Sequence, residues 1–346
     1  MASRLHQFAA ATVFALSVAI AVPSQAASFS SLVVFGDSLS DSGNNAALGL
    51  FDPLQVVTGN TYVPSNTYAP VGTYSNGPVW ASYFAAALGV PLAPSFAGGT
   101  NFAAGGATTG TDGGFMLPNP PFPPIGFPYS LRSQTGLYLG ATGGAADPNA
   151  LYVVAGGGNN ARAGLNAIFG GANPFAVAGA TAFNYADDVG DIVDSLQAAG
   201  AQHIVVWNTP NLALAPAVAA GGPAAQGAGT LLASVMNGAL GARLAGEAGV
   251  TTFDLFGFGV AVAANPAAFG FTNNTDACGA VLLANCNQYV YWDGIHPTSA
   301  AHRVIAGRLA DQLDIRPAIP EPQTYALMLL GLVAVGTAAR RRKTLS

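Results

Sequence analysis

An α/β fold, with a mainly parallel sheet covered by helices on both faces, is what this sequence predicts. Three observations carry that expectation. Short apolar, β-branched runs alternate along the chain with longer stretches of helical pattern. The 346 residues are 51% hydrophobic and only 8% charged, enough apolar material for a large core. Polar and Gly-rich motifs directly follow two of the apolar runs, where the active sites of such sheets lie.

The runs read in order. Ser31–Gly36 (SLVVFG) is apolar, β-branched and closed by Gly, the pattern of a buried strand. Leu151–Ala155 (LYVVA), His203–Trp207 (HIVVW) and Val250–Leu255 (VTTFDL) repeat it. Helices are expected over Pro78–Leu88, Ala178–Ala199, Ala225–Ala248 and Ser299–Asp314. Gly110–Tyr129 is rich in Gly and Pro, and too long for a bare connection. Its aromatics, within 115–129, would either form a hydrophobic lip for a substrate or pack on the domain. There is no internal repeat.

The two ends read as addresses. Residues 1–27 hold Arg4, an apolar run from Phe8 to Val22 and a small-residue exit, Ser24-Gln25-Ala26-Ala27. That is the pattern of a secretory signal, and export permits disulfides. The last residues hold Pro320-Glu321-Pro322, an apolar run from Tyr325 to Ala339, then Arg340-Arg341-Arg342-Lys343. The run is short for a membrane span, which needs about 20 residues, and its basic flank would stay cytoplasmic. A plain membrane anchor is one reading of this end. The expected organisation is therefore signal 1–27, domain 28–317 and C-terminal segment 318–346.

Charge narrows the partners. The net charge is −5, and four of the eleven basic residues fall in the last seven positions. Between Ala27 and Ile319 there are six Arg, no Lys and fifteen acidic side chains. Such a body has no footprint for nucleic acid and would repel an anionic polymer.

Four motifs carry chemistry. Phe35-Gly36-Asp37-Ser38-Leu39-Ser40 follows the first strand, which would project Ser38 into the crevice at the sheet's carboxyl end. Serine is a weak nucleophile unless a base takes its proton. Gly-Asp-Ser is also ordinary turn and cap chemistry, so this motif alone is ambiguous. Trp292-Asp293-Gly294-Ile295-His296-Pro297-Thr298 precedes the last helix. Asp293 can set its carboxylate on the His296 Nδ1, leaving Nε2 to accept the serine proton. Of the other histidines, His6 lies in the signal, His203 opens a strand, and His302 sits in the helix after the motif. Asn101–Thr108 (NFAAGGAT) and Gly156–Asn160 (GGGNN) offer backbone N–H groups and an amide, the materials of an oxyanion hole. Neither has the Lys or the spacing of a phosphate-binding loop.

Together these residues resemble the GDSL, or SGNH, hydrolase family. Its blocks occur in order as FGDSLSDSGN, NFAAGGATT, GGGNN and DGIHPT across residues 35–298, and Tyr74–Trp80 (YSNGPVW) is similar to its larger lipase-like members. The resemblance implies a flavodoxin-like three-layer α/β/α sandwich and an esterase or lipase. It implies Ser38, Asp293 and His296 as the catalytic residues. The oxyanion hole would be Ser38, Gly106 and Asn159, with Gly105 an alternative to Gly106. Asn160 departs from the family, which usually carries Asp there. The same residues serve lipases, thioesterases, acyltransferases and deacetylases of acetylated glycans, and a non-catalytic scaffold could keep the fold. The substrate would be an acyl ester or an acetylated glycan.

The C-terminal triad of motif, apolar run and basic cluster resembles the PEP-CTERM sorting signal. That resemblance implies Sec export across the inner membrane of a Gram-negative bacterium and transient anchoring there. An exosortase-type enzyme would then release the protein to the cell surface or medium. The only cysteines, Cys278 and Cys286, are expected to pair. Asp187, Asp191 and Asp194 share a helical face and read as a solvated stripe rather than a metal site. No cofactor or metal is expected, because no His/Cys cluster has ligand spacing.

Overall fold

The computed structural model describes residues 29–114 and 126–315. The expected signal, most of the aromatic 115–129 stretch and the C-terminal segment lie outside the described residues. Four parallel strands form the central sheet: β1 (Leu32–Gly36), β2 (Leu151–Ala155), β3 (His203–Trp207) and β4 (Val250–Phe253), in spatial order β1-β2-β3-β4. Residues 100–104 run parallel along the free edge of β1. The Val34 N–H donates to the Thr100 carbonyl at 3.0 Å, and the Phe102 and Ala104 N–H groups donate back to Val34 and Gly36 at 2.8 and 3.1 Å. Counting that segment, the chain visits the sheet in the order 2-1-3-4-5, the flavodoxin-like winding. The order reverses between β1 and β2, so the loops after these two strands flank the crevice where ligands of such sheets bind.

Strand residues alternate between two cores. Val33, Phe35, Tyr152, Val154, Ile204 and Val206 face one layer, and Leu32, Val34, Leu151, Val153, Val205 and Trp207 face the other. The first layer is made of α2 (Leu131–Ala141), α3 (Gly158–Phe169), α4 (Pro174–Ala198) and α5 (Gly222–Arg243). The second is made of α1 (Trp80–Leu88) and α7 (Ser299–Gln312), joined by Leu255 at the start of α6 (Leu255–Ala264). The result is a three-layer α/β/α sandwich. Both faces are covered over β1, β2 and β3, which are buried apart from His203 at the start of β3, as their apolar sequences require, whereas Thr251 and Thr252 of the edge strand β4 are exposed.

Local chemistry explains where the boundaries moved. The fourth strand stops at Phe253 rather than Leu255, because the Asp254 side chain accepts the Gly257 N–H and caps α6. Val79 is the N-cap of α1, so that helix begins two residues later than the apolar pattern suggests. The Asn173 side chain accepts from Phe175 and Ala176 and Pro174 takes the first turn, which starts α4 earlier than expected. The helix expected over Ala225–Ala248 is displaced toward the N-terminus, running from Gly222 to Arg243, with left-handed glycines at 246 and 249 beyond it. On α4, Asp188 and Asp191 engage Arg132, Asp194 engages Arg243, and Asp187 is exposed. Phe127 and Tyr129 pack with Ala104, Leu48 and Phe96, so these two aromatics belong to the domain.

Cys278 and Cys286 are joined by a disulfide. It closes the loop between residues 273–277 and 289–291, which pair in parallel and lead into Trp292 and Asp293. The Gly279 N–H donates to the Trp292 carbonyl at 2.9 Å, tying the stapled loop to the same turn. We expect the double replacement Cys278→Ser, Cys286→Ser to lower the unfolding free energy by roughly 2.5 kcal/mol, the chain-entropy value for so short a loop. Denaturant titration reads this directly, and an unchanged midpoint would mean that the strand pair alone orders the loop.

Candidate active site

The site lies at the reversal point of the sheet. Both backbone groups of Gly36, the last residue of β1, are held by one buried side chain. Gln134 Oε1 accepts the Gly36 N–H at 2.8 Å, and its Nε2 donates to the Gly36 carbonyl at 2.9 Å. The chain then turns sharply: the Ser40 and Asp41 N–H groups both donate to the Asp37 carbonyl at 3.0 Å. Asp37 Oδ1 accepts the Leu39 N–H at 3.0 Å. This turn carries Ser38 out of the sheet, with its own N–H making no hydrogen bond among the described residues.

The DGIHP turn delivers the other two polar groups. Ser38 Oγ is 2.8 Å from His296 Nε2, and His296 Nδ1 is 2.8 Å from Asp293 Oδ2. Asp293 is fully buried, yet each of its oxygens is bonded twice. Oδ1 accepts the N–H groups of Ile295 and His296, both at 2.8 Å, and Oδ2 also accepts the Tyr68 hydroxyl at 2.9 Å. Burial and the neighbouring Asp293 push the Tyr68 hydroxyl well above the ordinary tyrosine range, so it stays a donor. A hydroxyl bonded to an imidazole, whose far nitrogen is fixed by a carboxylate, is an arrangement through which a proton can leave the oxygen as it attacks.

A second polar network fixes the loop that carries Gly105 and Gly106. Asp41 is buried and accepts four N–H groups: Gly43 and Asn44 at 2.8 and 2.7 Å, Asn45 at 3.3 Å, and Gly105 at 3.1 Å. Asn45 Oδ1 takes the Gly105 N–H as well, at 3.0 Å, and its Nδ2 donates to the Tyr74 hydroxyl at 2.7 Å. The Tyr74 ring lies 5.3 Å from the His296 ring, centre to centre, and also covers Gly105. A Cβ at Gly105 would stand 2.1 Å from the Tyr74 ring, so only Gly fits there.

These bonds separate the two adjacent glycines. The Gly105 N–H is consumed by Asp41 and Asn45 and is buried. Gly106 is exposed, has φ +87°, and its N–H makes no hydrogen bond among the described residues. Asn159, at the start of α3, donates one Nδ2 hydrogen to the Ala107 carbonyl at 2.8 Å, which leaves the other available. The neighbouring Asn160 binds Thr109 twice, its Oδ1 accepting the N–H at 3.1 Å and its Nδ2 donating to Oγ1 at 2.9 Å. The amide at 160 thus ties the 156–160 loop to the 105–109 loop.

A cavity of about 160 Å³ opens at Ser38 and His296. Asn159 and Arg162 line it too, together with residues of α6 and α7, Tyr291 and the 210–218 segment. Sequence reasoning missed this cavity, because its walls come from separate apolar segments with no motif. It also missed Tyr68 and the Asp41–Asn45 network. Asp41 and Asn45 sit in or beside FGDSLSDSGN and Tyr74 opens YSNGPVW, so those had a signal, whereas Tyr68 had none.

The model of the GDSL-like lipase/acylhydrolase family matches residues 32–309, four-fifths of the chain. The chain belongs to this family. A PEP-CTERM protein-sorting motif matches residues 318–343. Lipase 1 of Photorhabdus luminescens is 30% identical over 203 residues, covering 59% of this chain and 26% of that protein. An uncharacterized protein of the trpE–trpG intergenic region of Pseudomonas putida is 30% identical over 336 residues, covering 86% of this chain and 50% of its own length. A GDSL esterase/lipase of Arabidopsis thaliana is 39% identical over 90 residues, 23% of each chain. The chain spans between about a quarter and a half of the length of these relatives. No helix among the described residues of this family member is long and apolar enough to cross a membrane.

His302 lies six residues beyond His296, in the first turn of α7, inside the domain. It is 1% exposed, and its Nδ1 has no hydrogen-bond partner among the described residues. Burial, then the neighbouring His296, pushes its pKa from 6.5 down to about 3. The unfolded chain therefore takes up a proton between pH 6.5 and 3 that the folded chain refuses. Stability from this group is present above pH 6.5 and is lost as the pH falls toward 3. Asp37 and Asp41 act in the opposite sense, since burial raises each from 3.8 to about 6. Their folded forms hold protons that the unfolded chain has released, so their contribution falls as the pH rises from 3.8 to 6. Comparison with His302→Leu isolates the histidine. Between pH 7 and pH 5 the wild type should lose about 2 kcal/mol relative to the variant, read by urea titration at both pH values. A gap independent of pH would show that His302 is not held neutral.

Proposed function

We propose that this chain hydrolyses carboxylic esters through an acyl intermediate on Ser38. The observation that carries the reading is the unbroken line from Ser38 Oγ through His296 to the buried Asp293, with both gaps at 2.8 Å. As Ser38 Oγ bonds to the ester carbonyl carbon, its proton passes to His296 Nε2. The carbonyl oxygen becomes an oxyanion, and the Ser38 N–H, the Gly106 N–H and the free Asn159 Nδ2 hydrogen are the donors assigned to it. Collapse breaks the bond to the alcohol oxygen, which leaves with the His296 proton. Water then repeats the sequence on the acyl-enzyme, giving up a proton to His296, and releases the acid and Ser38.

Asp293 holds the ring in the tautomer with Nδ1–H and offsets the positive charge that His296 carries between the two proton transfers. Tyr74 limits where the ring can swing. Family membership and the names of the relatives support an acyl hydrolase. The sorting motif supports export in a Gram-negative bacterium, anchoring by 325–339, and cleavage near Pro320-Glu321-Pro322 by an exosortase-type enzyme. The domain would then work at the cell surface or in the medium.

In purified protein, Ser38→Ala is expected to cut turnover of p-nitrophenyl esters by a factor on the order of 10⁶ while leaving the melting curve unchanged. Asp293→Asn should cost on the order of 10⁴, less than the serine, because the imidazole survives without its orienting charge. Wild-type turnover in the serine variant would end this reading. For the C-terminus, intact mass of the released protein should lack residues 325–346, and a released protein that retained them would favour the plain anchor.

A further inference from the structure

We infer that the natural substrate is an ester carrying an anionic oxyacid group, a carboxylate or a phosphate, a few bonds from the scissile carbonyl, and that Arg162 is the residue that selects it. The inference rests on the acyl-hydrolase reading and adds the class of substrate. Arg162 lines the cavity together with Ser38, Asn159 and His296. It stands three residues after Asn159 on α3, so the two side chains leave the same face of the helix. An anion held by Arg162 is thereby a neighbour of the ester carbonyl whose oxygen is assigned to Asn159.

Arg162 is exposed, and it makes no ion pair or hydrogen bond among the described residues. Other arginines are engaged. Arg132 is held by Asp188 and Asp191, Arg243 by Asp194 and Glu247, and Arg303 lies over the Tyr83 ring at 5.1 Å. A body with six Arg and fifteen acidic side chains between Ala27 and Ile319 has carboxylates to spare, yet no described one is set against this cation. The carboxylate that lines the same cavity, Asp37, is buried and accepts the Leu39 N–H. Burial dominates its state, and the Leu39 N–H and His296 oppose burial more than Arg162 does, so Asp37 and Arg162 are not an ion pair.

Two more unengaged donors line the cavity. The Tyr291 hydroxyl has no partner among the described residues, and burial pushes it above the ordinary tyrosine range, so it stays protonated. Asn211 Oδ1 accepts the Ala213 N–H at 3.1 Å and the Thr230 hydroxyl at 3.2 Å, while its Nδ2 donates to nothing among the described residues. A guanidinium, an amide and a phenol lining one space are satisfied by acceptor oxygens, and a planar guanidinium takes those of a carboxylate or phosphate in pairs. Charge also bounds the size of the ligand. One arginine suits one anionic group, whereas a polyanion would meet the acidic body as well.

The test uses the wild-type protein and pairs of esters that differ in charge. Ethyl hydrogen succinate against ethyl succinamate places the anion on the acyl side, and acetoxyacetate against acetoxyacetamide places it on the alcohol side. Acetoxyethyl phosphate against hydroxyethyl acetate offers the phosphate. At low ionic strength kcat/KM should favour the anionic member of at least one pair by about tenfold, mainly through KM, the pair identifying the group and the arm. The ratio should shrink as the ionic strength rises toward about 1 M, where the Debye length is about 3 Å. It should fall to near one in Arg162→Gln, stay intermediate in Arg162→Lys, and fall by a smaller factor in Tyr291→Phe. Arg308→Gln removes an exposed arginine of α7 that does not line the cavity, and should leave the ratio unchanged. Binding is read separately by calorimetric titration of the preferred pair into Ser38→Ala, where the tighter binding of the anionic member should be lost when Arg162→Gln is added. Ratios near one in every pair, or a preference that survives Arg162→Gln or falls equally in Arg308→Gln, overturn the assignment even if Ser38→Ala is inactive. Turnover that survives Ser38→Ala with the preference intact overturns the serine reading and leaves the anion site standing.

Discussion

The bond between His296 Nδ1 and Asp293 Oδ2 is the interaction on which the rest of the site depends. It lies in a place from which water is excluded, since Asp293 has no exposed surface and His296 is 3% exposed. A carboxylate there is stable only when its oxygens are bonded, and two N–H groups of its own turn, a tyrosine from a distant loop and the histidine supply that. Removing any of the four leaves a buried polar group short of a partner. The DGIHP turn is thus held by the same atoms that would orient the base, and the stapled 278–286 loop is tied to it through Gly279.

The sheet supplies the second constraint. Residues at the carboxyl ends of β1 and β2 are brought together because the winding reverses between them. That placement sets Ser38 beside the GGGNN loop and α3. Buried amide and carboxylate groups at Gln134, Asp41 and Asn45, with the half-buried amides of Asn159 and Asn160, then lock the loops at hydrogen-bond distances. Few of the contacts around the site are ion pairs, which suits a chain with 8% charged residues. Neutral amides bracing loops have a lower desolvation cost than charges, and they leave the cavity wall free to be apolar.

Much of this was legible in the sequence. Two of the four strands were read to the residue, because a parallel strand buried on both faces is a continuous β-branched run with Gly or polar ends. The positions of Ser38, Asp293 and His296 were legible because each lies in a short motif next to a strand or helix. Three of the seven longer helices among the described residues were not. The α6 sequence, LFGFGVAVAA, is apolar on every side and holds two glycines, so it has no period to detect. GNNARAGLNAIF and LRSQTGLYLGA are interrupted by Gly and polar residues, and their helicity comes from tertiary packing, the first on α4 and α5 and the second on α4 and β1. The edge segment 100–104 is Thr-Asn-Phe-Ala-Ala, with no strand propensity to announce it, and is held by hydrogen bonds to β1. Tyr68 and the cavity walls depend on residues brought together from far along the chain, which a local pattern cannot carry. That the Gly105 N–H is bonded and the Gly106 N–H is not depends on contacts between distant segments, which only the fold supplies.

The most direct test of the central claim is the site of covalent capture by a fluorophosphonate, which reports a nucleophilic serine without any assumption about the ester. Treated protein, digested and sequenced by mass spectrometry, should carry a single adduct, on Ser38. The labelling rate should collapse in His296→Ala, because the serine would then have no base. A single adduct on another residue, or esterase turnover persisting in protein fully labelled on Ser38, would contradict the account.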